Sequence, residues 1–188
     1  MIDRLLSIAT RISTWLVWFG GALLIGAALL VTVEVFSRKF FNVSMAGADE
    51  LSGYAFGVAT TLAMAYALFH RAHIRVDAAY GFFPLWLRRA ADLIGHLLLL
   101  GLVVVIAMTA WGLVADTIEY GSRSITPMRT PLIIPQLPWL AGWIFFIVCL
   151  VLVIVAAIFK LATGRGAEAD RLIGVPSVQE QIDEERES

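Results

Sequence analysis

Trp139-Leu-Ala-Gly-Trp-Ile-Phe-Phe-Ile-Val-Cys-Leu-Val-Leu-Val-Ile-Val-Ala-Ala-Ile-Phe-Lys-Leu161 contains a single charged side chain, Lys160, next to its end. A helix needs roughly 17–25 predominantly apolar residues to cross a ~30 Å hydrocarbon core. Lipid supplies no hydrogen-bond partner for any backbone that is not helical. The stretch therefore reads as a transmembrane helix. Similar stretches precede it at residues 12–36, 51–69 and 90–115. The expected fold is an all-α membrane protein with four transmembrane helices over residues 1–163, followed by a mobile acidic tail over 164–188.

The composition agrees. Of 188 residues, 60% are hydrophobic and 15% charged, whereas a soluble domain has about 45–50% apolar and about 25% charged residues. Four spans use up the length and leave no room for a second folded domain. No basic cluster with interleaved aromatics points to nucleic acid. Cys149 is the sole cysteine, so no disulfide forms within the chain and it reads as a small buried hydrophobe. The first apolar stretch is about twice the ~7–15 residues of a signal-peptide core and lacks a small-residue cleavage site, so it is expected to be a retained span. The tail carries Glu168, Asp170, Glu180, Asp183, Glu184, Glu185 and Glu187 with few aliphatics, too little apolar surface to offset its ordering entropy.

Cytoplasmic loops of membrane proteins are enriched in Lys and Arg. With four spans, the N-terminus, second loop and tail share one side and hold ten cations: Arg4, Arg11, Arg71, Arg75, Arg88, Arg89, Lys160, Arg165, Arg171 and Arg186. The other two loops hold only Arg38, Lys39, Arg123 and Arg129. Both termini are thus expected to be cytoplasmic. Trp15, Trp18, Tyr66 and Trp86 then mark the inner interface, and Tyr54, Trp111, Tyr120, Trp139 and Trp143 the outer one, where amphipathic rings concentrate.

The second span carries the packing information. Gly53, Gly57, Thr61 and Ala65 recur every four residues, as do Ala55, Ala59, Ala63 and Ala67. The rows are two residues apart, about 200° around the helix, and small residues let backbones approach closely. A helix with near neighbours on both sides follows. Between spans three and four, prolines at 127, 131, 135 and 138 favour extended chain. Ile125, Leu132, Ile133 and Ile134 make that segment too apolar for a free loop, so it is expected to pack on protein or the membrane interface. Pro138 would then start the last helix, where its missing N–H costs nothing.

An ionisable residue inside a membrane is a functional candidate. Glu34 lies near the outer end of the first span with Arg38 one turn on, where the two can pair; an interfacial ion pair and an ion or proton site are the two readings. Asp92 has Arg88 and His96 one turn to either side, a charged ladder at the inner end of span three. His70, His73 and His96 raise the idea of a bis-His haem, but only His96 is placed inside a bundle. No zinc-like spacing, phosphate-binding glycine loop or nucleophilic triad is present, so neither an enzyme, a metal site nor a cofactor is expected. The segment from His70 through Arg89, with Phe82, Phe83, Leu85, Trp86 and Leu87, reads as interfacial, its arginines facing lipid headgroups.

Glu34-Val-Phe-Ser-Arg38, Phe40-Phe-Asn42, Asp49-Glu50-Leu51, His73-Ile-Arg-Val-Asp77 and the proline-rich approach to the last span occur in that order. In this order they resemble the small membrane subunit of tripartite ATP-independent periplasmic (TRAP) transporters, over residues 11–161. The family often has an aromatic just before the acidic pair; here Ala46-Gly-Ala48 precedes Asp49. The resemblance implies a non-catalytic scaffold in the bacterial inner membrane, paired with a large multi-span subunit that holds the substrate and sodium sites. A periplasmic solute-binding protein would deliver an organic acid to the pair. The expected large-subunit contacts are Gly53, Gly57, Ala55 and Ala59, with Glu34, His73, Arg75 and Asp77 at the ends. The expected docking residues for the periplasmic protein are Arg38, Asp49, Glu50, Arg123 and Arg129. The alternative is a haem- or quinone-associated anchor of a redox complex.

Overall fold

A computed structural model describes residues 2–44, 46–72 and 84–174. Its helices are α1 (Ile2–Phe41), α2 (Ala48–Phe69), α3 (Leu85–Tyr120), α4 (Ile133–Ala162) and α5 (Gly166–Ile173). The first four are each long and apolar enough to cross a membrane, as the four apolar stretches require. Each is also longer than its apolar stretch. At 40 residues, α1 reaches about 60 Å at 1.5 Å per residue, twice the ~30 Å hydrocarbon core. Its surplus carries Asp3, Arg4 and Arg11 at one end and Arg38 and Lys39 at the other.

Helix α4 organises the rest by touching α1, α2, α3 and α5. On one side α2 separates most of α1 from it, and on the other α3 lies directly against it. Phe146, Cys149, Leu150, Val153, Ala156 and Ala157 of α4 form the main core with Ala65 and Leu68 of α2, Val103 of α3 and Leu6 and Ala9 of α1. Toward the other end, Leu140 packs with Ala110 and Val114 of α3.

Lipid tails are as apolar as leucine, so burial in lipid drives no helix association and close van der Waals approach must do so. Two glycines provide it. A Cβ on Gly142 would lie 2.5 Å from Thr61 Oγ1 and 3.0 Å from the Thr61 carbonyl carbon. A Cβ on Gly20 would lie 3.3 Å from the Ala59 Cα. Thr61 thus faces α4 and Ala59 faces α1, so both small-residue rows of α2 have the near neighbours their spacing implied. The Thr61 hydroxyl donates back to the Val58 carbonyl at 3.0 Å, which keeps a polar group satisfied at this dry contact.

The structure differs from the sequence expectation or adds to it in three places. Helix α4 begins at Ile133, so Pro138 lies inside it rather than at its start. Pro135 falls in the first turn, where the amides have no intrahelical acceptor in any case; Pro138 removes one bond, to the Ile134 carbonyl of the exposed Ile134. Residues 85–89, assigned to the interfacial segment, are the first turns of α3, and residues 73–83 lie outside the described residues. Of the tail expected over 164–188, residues 166–173 form α5, and residues 175–188 lie outside the described residues. Ala169 and Ile173 of α5 are buried, and α5 lies against α4 and α3. Apolar residues four apart give even this acidic segment one face to bury.

Replacing Gly142 by valine forces α2 from α4, and overpacking of this kind costs about 1–3 kcal/mol. The variant is expected to melt clearly below the parent in detergent. Gly101→Ala, where a Cβ meets nothing within 4 Å, is the control and should melt with the parent.

Candidate functional site

Charged and polar groups gather at the two ends of the helices. At one end α1 stops at Phe41 and the chain reverses through Asn42 at φ 53°. The reversal brings Ser44 back over α1, where its hydroxyl donates to Glu34 Oε1 at 2.7 Å. Arg38 Nη2 donates to the same oxygen at 2.7 Å, the ion pair read from the sequence. Glu34 is 2% exposed, and a buried carboxylate is tolerated only when paired and hydrogen-bonded in this way.

Helix α2 then opens with Asp49 and Glu50 in its first turn, where the helix dipole favours anions. Glu50 accepts from the Tyr54 hydroxyl at 2.8 Å and from Thr126 Oγ1 across from the α3–α4 loop. That loop, residues 122–132, is folded on itself. Ser124 N donates to the Thr130 carbonyl at 2.9 Å, Arg129 N to Thr126 O at 3.0 Å and Leu132 N to Ser122 O at 3.1 Å. Thr130 N donates to Ser124 Oγ at 2.9 Å. Met128 seats its sulfur over Gly47, where a Cβ would collide with it; this is why the position before α2 lacks a side chain. A cleft of about 170 Å³ remains, lined by Glu34, Arg38, Asp49, Glu50 and Thr126 among others.

The five docking candidates, Arg38, Asp49, Glu50, Arg123 and Arg129, are therefore not equivalent. Arg38, Asp49 and Glu50 line one cleft with Glu34. Arg123 and Arg129 stand exposed on the loop, and Arg123 Nη1 donates to the Arg129 carbonyl at 3.3 Å. Ile125, expected to pack on protein or the membrane interface, is fully exposed within this chain.

The opposite end is tied together by charges that sequence reading did not single out. Lys160, at the end of α4, reaches Asp3 of α1 at 3.0 Å and Glu168 of α5 at 2.8 Å. Arg89 of α3 forms a forked pair with Asp170 of α5, both contacts at 2.8 Å. The Lys160 ammonium, through its hydrogen bond, holds the Glu168 carboxyl below its ordinary range. Such solvent-screened pairs each add little to stability, and the buried Ile173 adds apolar contact. Here four helices from distant parts of the chain meet.

The remaining candidates fall as follows. Gly53 faces open space. Ala55 borders an apolar groove between α1 and α2, beside Phe19, Leu23 and Gly26. A Cβ on Gly57 would meet only Trp139, at an ordinary 4.0 Å, whereas Ala59 lies tightly against Gly20 and its smallness serves packing within the chain. His73, Arg75 and Asp77 lie outside the described residues. His96 Nδ1 donates to the Asp92 carbonyl at 2.8 Å, and His70 stacks on Tyr66 with ring centroids 3.8 Å apart. Sequence reading missed Ser44 as a partner of Glu34, and Ser124, Thr126 and Thr130 around Glu50. Only the Glu50–Tyr54 contact, at helical i,i+4 spacing, was within reach of it.

Comparison with protein families gives a match over residues 27–164 to the DctQ component of tripartite ATP-independent periplasmic transporters. The chain belongs to this family of small TRAP-transporter components, which are not enzymes. Neither the curated proteins nor the solved structures gave a match.

Two outcomes test the ends. Glu50→Ala frees Thr126 and Tyr54, so trypsin cleavage after Arg123 and Arg129 in detergent should speed up by roughly tenfold, as local opening becomes easier; an unchanged rate means the loop is held otherwise. For Glu168, the folded pKa lies below the unfolded one, so its contribution is complete above about 4.5 and is lost as pH falls through the lowered value. Hydrogen-exchange protection of α5, corrected for intrinsic rates, should be flat from neutral pH to about 4.5 and decline only below it.

Proposed function

We propose that this TRAP-family chain is the fixed scaffold subunit of a secondary transporter in the bacterial inner membrane, with both termini cytoplasmic. It pairs with a large multi-span subunit that carries the substrate and sodium sites, and a periplasmic solute-binding protein brings an organic acid to the pair. The family match over residues 27–164 is the observation that carries the reading. The distribution of basic residues supports the orientation, because it puts the Lys160–Glu168 end inside and the Glu34–Glu50 end outside.

The architecture is consistent with a scaffold. Both ends of the helices are cross-tied, and α4 is gripped by every other helix, which leaves few ways for one helix to slide against another. The large-subunit surface is assigned to the exposed side of α1 and α2, with Gly53, Ala55 and the apolar groove beside Gly26 as the close-approach zone. Gly57 and Ala59 support it from within by fixing α2 against α4 and α1, and Glu34 fixes its outer end. His73, Arg75 and Asp77 are proposed as the inner end of that contact. The periplasmic docking surface is assigned to Arg38, Asp49, Glu50, Arg123 and Arg129. Charges of both signs there would steer encounter with the soluble partner and set its register.

The reading is tested by uptake driven by a sodium gradient in proteoliposomes. Uptake should require this chain, the large subunit and the solute-binding protein together. Full uptake by the large subunit and binding protein alone would refute the scaffold role. Reversing Arg123 and Arg129 to glutamate together should slow association several-fold at low salt and weaken its ionic-strength dependence. An unchanged salt dependence would remove both arginines from the docking surface.

A further inference from the structure

The outer α3–α4 loop distributes its side chains in an unusual way. Along residues 122–127, half-buried and exposed positions alternate. Ser122, Ser124 and Thr126 are half-buried, as is Thr130; the Ser124 and Thr126 hydroxyls bond to each other, to the Thr130 amide and to Glu50, and the Ser122 backbone bonds to Thr117 and Leu132. Arg123, Ile125 and Pro127 point outward. Hydroxyls inside and isoleucine outside is the reverse of what water alone would select. Ile125 is fully exposed, though a serine or threonine there would satisfy the backbone equally well.

We infer that Ile125 is the apolar anchor by which this chain engages its soluble extracytoplasmic partner, seating in an apolar pocket whose carboxylate rim meets Arg123 and Arg129. The inference rests on the reading of the chain as a TRAP small subunit with this end outside. Three features carry it. The anchor is presented on a backbone already fixed by hydrogen bonds and by Met128 over Gly47, so little ordering is left to be done on binding. Two guanidinium groups flank it, and arginine is the cation best suited to forked carboxylate contacts at a protein interface. The same end also carries Glu34, Asp49, Glu50, Asp116 and Glu119 alongside Arg38, Lys39, Arg123 and Arg129. That mixture gives no net attraction to anionic headgroups, which select basic clusters. A shaped, mixed-charge surface with one apolar projection fits a folded protein better than a lipid surface.

The test uses the membrane pair reconstituted in proteoliposomes, with the transporter's own solute-binding protein titrated in its loaded form. Ile125→Asp should raise the KM for the binding protein by roughly tenfold or more, as loss of a central anchor does, with kcat unchanged at saturation. Ile125→Leu should stay near the parent. Ile125 is fully exposed, so both variants should melt with the parent in detergent. An unchanged KM in Ile125→Asp overturns the inference. So does a fall in kcat at constant KM, or loss of the co-purifying large subunit, either of which would place Ile125 against the membrane partner. An environment-sensitive fluorophore on Ile125→Cys that reports lipid before any binding protein is added would overturn it in favour of the bilayer. If parent uptake shows no dependence on the binding protein, the proposed function fails first. If it does and Ile125→Asp matches it, only the anchor fails.

Discussion

The contact between Gly142 of α4 and Thr61 of α2, with 2.5 Å from an ideal Cβ to the threonine hydroxyl oxygen, sets the distance on which the rest depends. In lipid, two helices gain little by meeting unless their backbones come close enough for dense van der Waals packing. Once α2 and α4 meet there, Trp139 comes to lie beside Gly57, and the other face of α2 is left to receive Gly20 of α1. The far side of α4 is covered by α3, through Leu140, Ala110 and Val114. A single close approach between the second and fourth helices thus determines which faces of α1 and α3 remain open to lipid or to another subunit.

The polar ends convert that stack into a stiff body. Outside the apolar core, two of the loops are tied back to a helix: Thr126 to Glu50, and Ser44 to Glu34. At the opposite end Lys160 draws in Asp3 and Glu168, and Arg89 draws in Asp170. No single pair of this kind is strong, and half-exposed ones are worth little alone. Their effect is geometric, because each closes a different pair of elements.

The four spans were legible because lipid imposes one rule on every backbone group, and residues 12–36, 51–69, 90–115 and 139–161 obey it without exception. The small-residue rows of α2 were legible for a similar reason, since their period is the helix's own. Helix ends were less so. Leu85-Trp-Leu-Arg-Arg89 looks interfacial by composition, and nothing in that composition marks it as the start of α3. Prolines 135 and 138 suggest extended chain but occupy early turns of α4, where one missing donor is tolerated. The acidic count after Gly164 concealed α5, whose Ala169 and Ile173 find a surface only once the bundle exists. At the site, Glu34 with Arg38 was readable from i,i+4 spacing. The partners of Glu50 in the loop were not, because hydroxyls separated by many residues in sequence carry no periodic signal.

What emerges is a membrane protein built to present surfaces rather than to perform chemistry. Its helices are fixed against one another, the Lys160–Glu168 end is tied by ion pairs, and the Glu34–Glu50 end holds a shaped loop over an acidic cleft. The central claim is that these surfaces have a membrane partner. It is tested most directly by purifying the tagged chain from its native membrane in mild detergent and quantifying what elutes with it by mass spectrometry. The account predicts one large multi-span membrane protein in fixed stoichiometry with this chain. Elution of the chain alone, or in company with soluble redox subunits, would contradict it.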